Sequence, residues 1–249
     1  MKKLAVLIVA SGVLFAACKD LQKLAADGQK ALEQASGTGG TSLTNGEAVN
    51  GLKEALKQGA NKAGTSASAV DGFYKNPAIF IPFPPEAQKV KEKCIQLGMQ
   101  SQVTKFEETL NRAAEESAKT AAPVFVNAIS GMTLGDGLGI LRGSDTAATN
   151  YLRTKCTDSL KVKFRPIVAN ATKKVELTKY WNPLATAYNK IPMVTPVNPD
   201  LDGYVCDRAI HGLFKLIGDE EKNIRTNPLA RGTDLLKKVF GSKENPHNK

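Results

Sequence analysis

The chain reads as a mainly α-helical protein: a bundle-like single domain with proline-rich extended connections. Three observations predict this. Apolar residues make up 42% of the sequence but aromatic residues only 6%, a balance that packs helices better than sandwiched sheets. Beyond residue 44, apolar positions recur at intervals of three and four over most of the length. Two proline-bearing stretches, residues 72–85 and 191–200, interrupt that rhythm and divide the helices into groups.

The first element is a leader. Lys2 and Lys3 precede an apolar run over residues 4–14, followed by Phe15, Ala16, Ala17 and Cys18. The run is shorter than the roughly 20 residues that a membrane-spanning helix needs, so residues 1–17 are expected to be a removable lipoprotein signal peptide. Small side chains at Ala16 and Ala17 admit a peptidase, and the Cys18 thiol is the group there that can become a lipid thioether. Phe15 stands where leucine is usual, and the competing expectation is a plain secretory signal cut near Ala17. Acyl chains such as palmitate, at ~0.8 kcal/mol per buried methylene, make anchoring lasting once two are present. Lys19, rather than an aspartate, follows the cysteine and points to the outer membrane.

Residues 18–43 are expected to hold the lipidated cysteine and a stalk. Leu21, Leu24, Ala25 and Leu32 have helical spacing, and residues 36–46 are rich in glycine and hydroxyl residues, which predicts a flexible tether. The helical domain is expected over residues 44–241. Thr44 and Glu47 have capping-box spacing, and Val49, Leu52, Ala55 and Leu56 share a face of the helix that follows. Over residues 72–85, prolines exclude a helix and alternating Ile79, Ile81 and Phe83 predict an extended segment with a short edge strand, lining a cleft between helices. Ala87, Val90, Cys94 and Leu97 restart a helix after Pro85.

Residues 101–132 predict two helical halves, kinked or split at Pro123. Ser144 is expected to cap a helix carrying Ala147, Ala148, Tyr151, Leu152 and Cys156, with more helix over residues 160–175 and 177–190. Tyr204, Val205, Ala209, Leu213, Leu216 and Ile217 mark a core helix that Gly218 is expected to stop, before a shorter acidic helix over residues 219–225. Thr233 caps a last helix with Leu235, Leu236, Val239 and Phe240, and residues 242–249 are expected to be a disordered tail.

Net charge is +10, and removing Lys2 and Lys3 with the signal lowers it to +8. Outside the cytoplasm that favours anionic envelope components over nucleic acid. Cys94, Cys156 and Cys206 remain after Cys18, without Cys-x-x-Cys spacing, which leaves either one disulfide with a free thiol or three buried thiols. The glycines at 135, 137, 139 and 143 imitate a phosphate loop but lack its lysine, so close helix approach with Asp136 as a cap is expected. Asn198, Asp200, Asp202 and Gly203 imitate half a calcium loop, but Ala209 occupies the closing position. His211 is expected to be a partly buried packing residue. No metal or cofactor is predicted. The candidate polar cluster is Arg112, Glu115, Asp136, Glu221, Arg225 and Arg231, charges placed in otherwise apolar segments together with Glu220. Interhelical ion pairs account for them, and a pair of carboxylates acting as acid and base on a glycan is the competing expectation.

Several segments resemble a family. Gly51, Leu52, Lys53, Glu54, Ala55 and Leu56, then residues 79–82, then Asn111, Arg112, Ala113, Ala114 and Glu115 carry the resemblance in the first half. Met132, Asp136, Ala147, Ala148, Thr149, Tyr151 and Leu152 continue it. Tyr204, Val205, Gly212, Leu213, Phe214, Glu220, Glu221, Ile224, Arg225, Pro228, Arg231 and residues 235–241 complete it. Together they resemble the bacterial domain-of-unknown-function family 4197 from about residue 51 to 241. The resemblance implies an exported helical envelope protein, often a lipoprotein, and brings no reaction. Gly137, Cys206 and His211 depart from the family pattern. The expectation is therefore a membrane-anchored envelope lipoprotein, held through Cys18, that binds or scaffolds an anionic component or partner protein. A hydrolase using Glu115, Asp136 or Glu221 is the alternative.

Overall fold

Thr44 opens the first helix, α1 (Asn45–Ser68), through the capping box its spacing predicts. Its hydroxyl accepts the Glu47 backbone N–H, and the Glu47 carboxylate accepts the Thr44 N–H. The computed structural model describes residues 42–133 and 135–248. The expected signal peptide, the Cys18 anchor and the stalk helix over residues 19–35 lie outside the described residues.

The proline-bearing segment after α1 runs through turns, and the edge strand expected there is not formed. Phe73, Ile79, Ile81 and Phe83 are buried, so it is a core element rather than the wall of a cleft. Asn111 explains how irregular backbone survives there: its amide accepts the Ile81 N–H at 2.8 Å and donates to the Ile81 carbonyl at 2.9 Å, taking the place of a strand partner. A 3-10 turn (Pro85–Ala87) then leads into α2 (Gln88–Gln96) and α3 (Gln100–Ala118).

The break before α4 (Ala121–Gly131) falls short of Pro123 instead of at it. Pro123 therefore sits in the first turn of α4, where its missing N–H deprives no carbonyl of a partner. Asp136 caps the short α5 (Gly137–Leu141) by accepting the Gly139 N–H at 2.7 Å. Next comes α6 (Ala147–Lys174), one continuous helix where two were expected. Pro166 is tolerated inside it because the carbonyl it strands belongs to Val162, which is exposed to solvent. Ser144 does not cap α6. The residue in that position is Thr146, and its side chain makes no capping bond.

After α7 (Leu177–Asn189), an extended connection reaches α8 (Leu201–Thr226). Gly218 does not stop α8. A Cβ there would come within 3.2 Å of Thr146 Cγ2, so the glycine serves close packing of α8 against the start of α6. A 3-10 turn (Pro228–Ala230), α9 (Asp234–Phe240) capped by Thr233, and a final turn (Pro246–Asn248) complete the chain. The tail expected to be disordered folds back instead. Asn245 is fully buried and donates to the carbonyls of Arg225 and Phe240 at 2.8 and 2.7 Å.

Nine α-helices and no strand make up the described residues, a mainly α bundle in which α8 packs against α1 on one side and α6 on another, with α4 also against α1. Phe125 meets Phe214 edge-on at 5.3 Å where α4 approaches α8. Phe83, Phe106 and Trp181 tie the extended segment to α3 and α7, with Phe83 and Phe106 at 4.8 Å. Cys94, Cys156 and Cys206 are unpaired and buried, packing as small apolar groups. Burial pushes the Cys206 thiol up to about 11. No described helix is long and apolar enough to cross a membrane.

Candidate functional site

The candidate charges do not converge on one site. Arg112 and Glu115 form one cluster on α3, and Glu221, Arg225 and Arg231 a second at the end of α8. Asp136 stands at the start of α5.

In the first cluster, Glu115 is 4% exposed. Its Oε1 accepts the backbone N–H groups of Phe73 and Tyr74, both at 3.1 Å, and its Oε2 accepts from Arg112 at 2.7 Å. Arg112 reaches on to Asp71 at 2.8 Å and lies 5.4 Å from the Tyr74 ring centre. Asp71 has φ of 67°, a left-handed conformation that turns the chain after α1. Lys75, and then Arg112, hold its carboxyl below the usual range. The hydrogen bond to Glu115 leads in raising the Arg112 guanidinium above its ordinary value. Sequence spacing finds the Arg112 and Glu115 pair, but the work of the pair is to fix a turn that begins some forty residues earlier.

In the second cluster, Glu221 and Arg225 are both fully buried and pair at 2.8 Å. Glu221 accepts the N–H groups of Ala148 and Thr149, the free amides at the start of α6. Arg225 donates to the carbonyls of Leu141 and Ile140 at 2.7 and 3.1 Å, at the end of α5. Arg231 donates to the carbonyls of Ile224 and Arg225, both at 3.0 Å, at the end of α8 itself, and burial lowers its pKa. Each charge thus satisfies backbone groups that a helix end leaves without partners. The signs agree with the helix dipole, carboxylates at N-termini and guanidiniums at C-termini. Glu220, their neighbour, bonds Lys62 and Gln58 on α1.

The lookalike motifs have the same kind of explanation. Asp200 accepts the Gly203 N–H at 2.8 Å as the cap of α8 and pairs with Arg165 at 2.6 Å, while Asp202 accepts the Thr172 hydroxyl at 2.6 Å. Among the described residues, no cluster of three His, Cys, Asp or Glu has the arrangement to hold a metal. Gly137 allows contact with α1: a Cβ would stand 2.8 Å from the Val49 nitrogen, and Asn45 accepts the Gly137 and Leu138 N–H groups. His211 is exposed rather than partly buried. Partial desolvation, then the guanidiniums of Arg153 and Arg208, push its pKa down.

Sequence reasoning missed the roles of Asn111 and Asn245, buried amides that hold backbone, and of Thr149, whose buried hydroxyl donates to Glu221. It also missed the hollows. One of about 660 Å³ lies between α4 and α6, lined by Asn127, Met132, Tyr151, Lys155, Ser159 and Lys163 among others. Glu115 backs onto a smaller one of about 320 Å³ beside Lys105 and Tyr180.

A family model described as "Protein of unknown function (DUF4197)" matches residues 42–241, which spans all nine α-helices of the described residues. No curated protein and no solved structure matches the chain.

Proposed function

The chain belongs to the DUF4197 family, and because membership supplies no reaction, we propose from its residues that it is a bacterial cell-envelope lipoprotein that binds or scaffolds rather than catalyses. One observation supports this best: the carboxylates a hydrolase would need are engaged with backbone. Glu115 accepts two N–H groups and Arg112, Glu221 accepts two N–H groups and Arg225, and Asp136 caps α5. A general acid or base must exchange its proton with substrate, and doing so here would release a turn or a helix end.

The ligand is proposed to be anionic. The mature chain carries an excess of positive charge, and Lys155 and Lys163 border the hollow between α4 and α6 without a carboxylate partner among the described residues. A hollow of this size with apolar and polar walls suits a ligand having a charged group and an apolar body. The anchor is proposed to be Cys18, in the outer membrane, from the small residues before it and Lys19 after it.

Crosslinking followed by affinity capture of the lipidated protein from its native envelope tests the reading. Mass spectrometry should find a stoichiometric partner protein or a copurifying anionic lipid or glycan. An empty capture, joined to a Glu115→Gln variant that keeps its stability and loses its phenotype, would overturn it in favour of an enzyme.

A further inference from the structure

Seven arginines lie in the described residues, and five have acceptors. Arg112, Arg142, Arg165 and Arg225 pair with carboxylates, and Arg231 holds backbone carbonyls. Arg153 and Arg208 have no carboxylate partner among the described residues, and the Nε of each is buried without an acceptor. The charges of both act on His211. Helices α6 and α8 run antiparallel, as Glu221 against Ala148 at one end and Asp207 against Lys161 further along require. Arg208 and His211 are one turn apart on α8. Arg153 reaches across from α6 to lie 5.3 Å from the ring centre of Phe214, one turn beyond His211.

We propose that Arg153, Arg208 and His211 form a binding site for a phosphate-type oxyanion at the seam of α6 and α8. This rests on the binding function argued above and gives that function a ligand chemistry: phosphate oxygens, of a lipid headgroup or of a free phosphate. Two guanidiniums present forked N–H donors that match such oxygens in pairs. The acids on this stretch of α8 do not compete, because Asp207 is held by Lys161 and Asp219 by Lys215. Partial desolvation and the two guanidiniums lower the His211 pKa, which favours the neutral ring, a donor of an N–H that adds no third repelling charge. An oxyanion bridging the two guanidiniums relieves their mutual repulsion.

The chain contains two histidines, so imidazole signals report the site directly. The second, His247, is bonded to Asp145 at 2.7 Å and serves as the internal reference. Full-length ¹⁵N-histidine protein, as the Cys18→Ala variant so that no acyl chain contributes, is titrated with inorganic phosphate against chloride at equal ionic strength. It is then titrated with vesicles of phosphatidylglycerol against phosphatidylcholine. The expected result is a saturable shift of His211 and not of His247, with affinity reduced at least tenfold in Arg153→Gln and in Arg208→Gln. A shift with inorganic phosphate identifies a free phosphate as sufficient; a shift with phosphatidylglycerol alone identifies the headgroup. Because Arg153 packs on Phe214, Arg153→Lys, which keeps charge and stem but loses the fork, replaces the glutamine variant should that unfold, and is expected to bind several-fold more weakly. No His211 shift in either titration, or an equal shift in the variants, overturns the site. Envelope capture of a partner that survives both glutamine substitutions would do the same while leaving the binding function standing at another surface.

Discussion

One carboxylate oxygen of Glu221 takes both the backbone N–H and the hydroxyl of Thr149, each at 2.7 Å. Its other oxygen takes the Ala148 N–H at 3.0 Å. A residue near the end of α8 thereby performs the capping that Thr146, the local candidate, does not. The same carboxylate neutralises Arg225, which would otherwise be a buried charge without a counterion.

Glu221→Gln leaves that charge uncompensated. Removing one partner of a buried pair costs about 3–5 kcal/mol, and the variant is expected to lose that much in urea unfolding. A change below about 1 kcal/mol would show that the pair is not what holds the start of α6 to the end of α8.

Glu115→Gln is milder. The amide oxygen can still accept from Phe73 and Tyr74, but its nitrogen faces Arg112. A loss of about 1–3 kcal/mol is expected, read as a lower denaturation midpoint. Any loss of cellular phenotype should follow the loss of folded protein.

Glu176 joins α6 to α7 with φ of 53° and contributes one exposed pair, to Lys179. Glycine adopts that conformation without the Cβ conflict, and such surface pairs contribute little. Glu176→Gly is expected to raise stability by about 0.5–1 kcal/mol. Gly137→Ala is expected to do the opposite, losing about 1–3 kcal/mol, because its Cβ would meet the backbone of Val49 and Asn45. Thermal melts of the two variants should move in opposite directions.

Glu47 predicts a pH dependence. Its hydrogen bonds with Lys238 and Thr44 lower its pKa from 4.5 to about 2. A lowered carboxylate contributes stability above its unfolded value, and that contribution disappears as pH falls from 4.5 towards 2. Urea midpoints of the native protein and Glu47→Gln should differ above pH 4.5 and converge near pH 2. A gap that widens on acidification would contradict the assignment.

What could be read from sequence was what is local. Thr44, Asp136, Asp200 and Thr233 each act on the N–H group three residues ahead, and their spacing shows it. Gly218 misled because a glycine that permits close packing has the same letter as one that ends a helix. Glu115, Glu221, Arg225 and Arg231 were recognisable as charges in apolar company, and Arg112 with Glu115 and Glu221 with Arg225 as local pairs. Their backbone partners lie on other elements, which no periodicity reports. Arg153 and Arg208 gave no signal at all, since what distinguishes them is the lack of a partner, and that exists only once the helices have packed.

The capping carboxylate of α6 lies 72 residues downstream of Thr149. A chain delivered N-terminus first therefore presents α6 with uncapped amides until α8 has followed, and Arg225 cannot close α5 before then either. Both helix ends wait on the same late segment. The order of synthesis and the order in which these two helix ends gain their partners are thus opposed, and α8 is the segment whose arrival satisfies both.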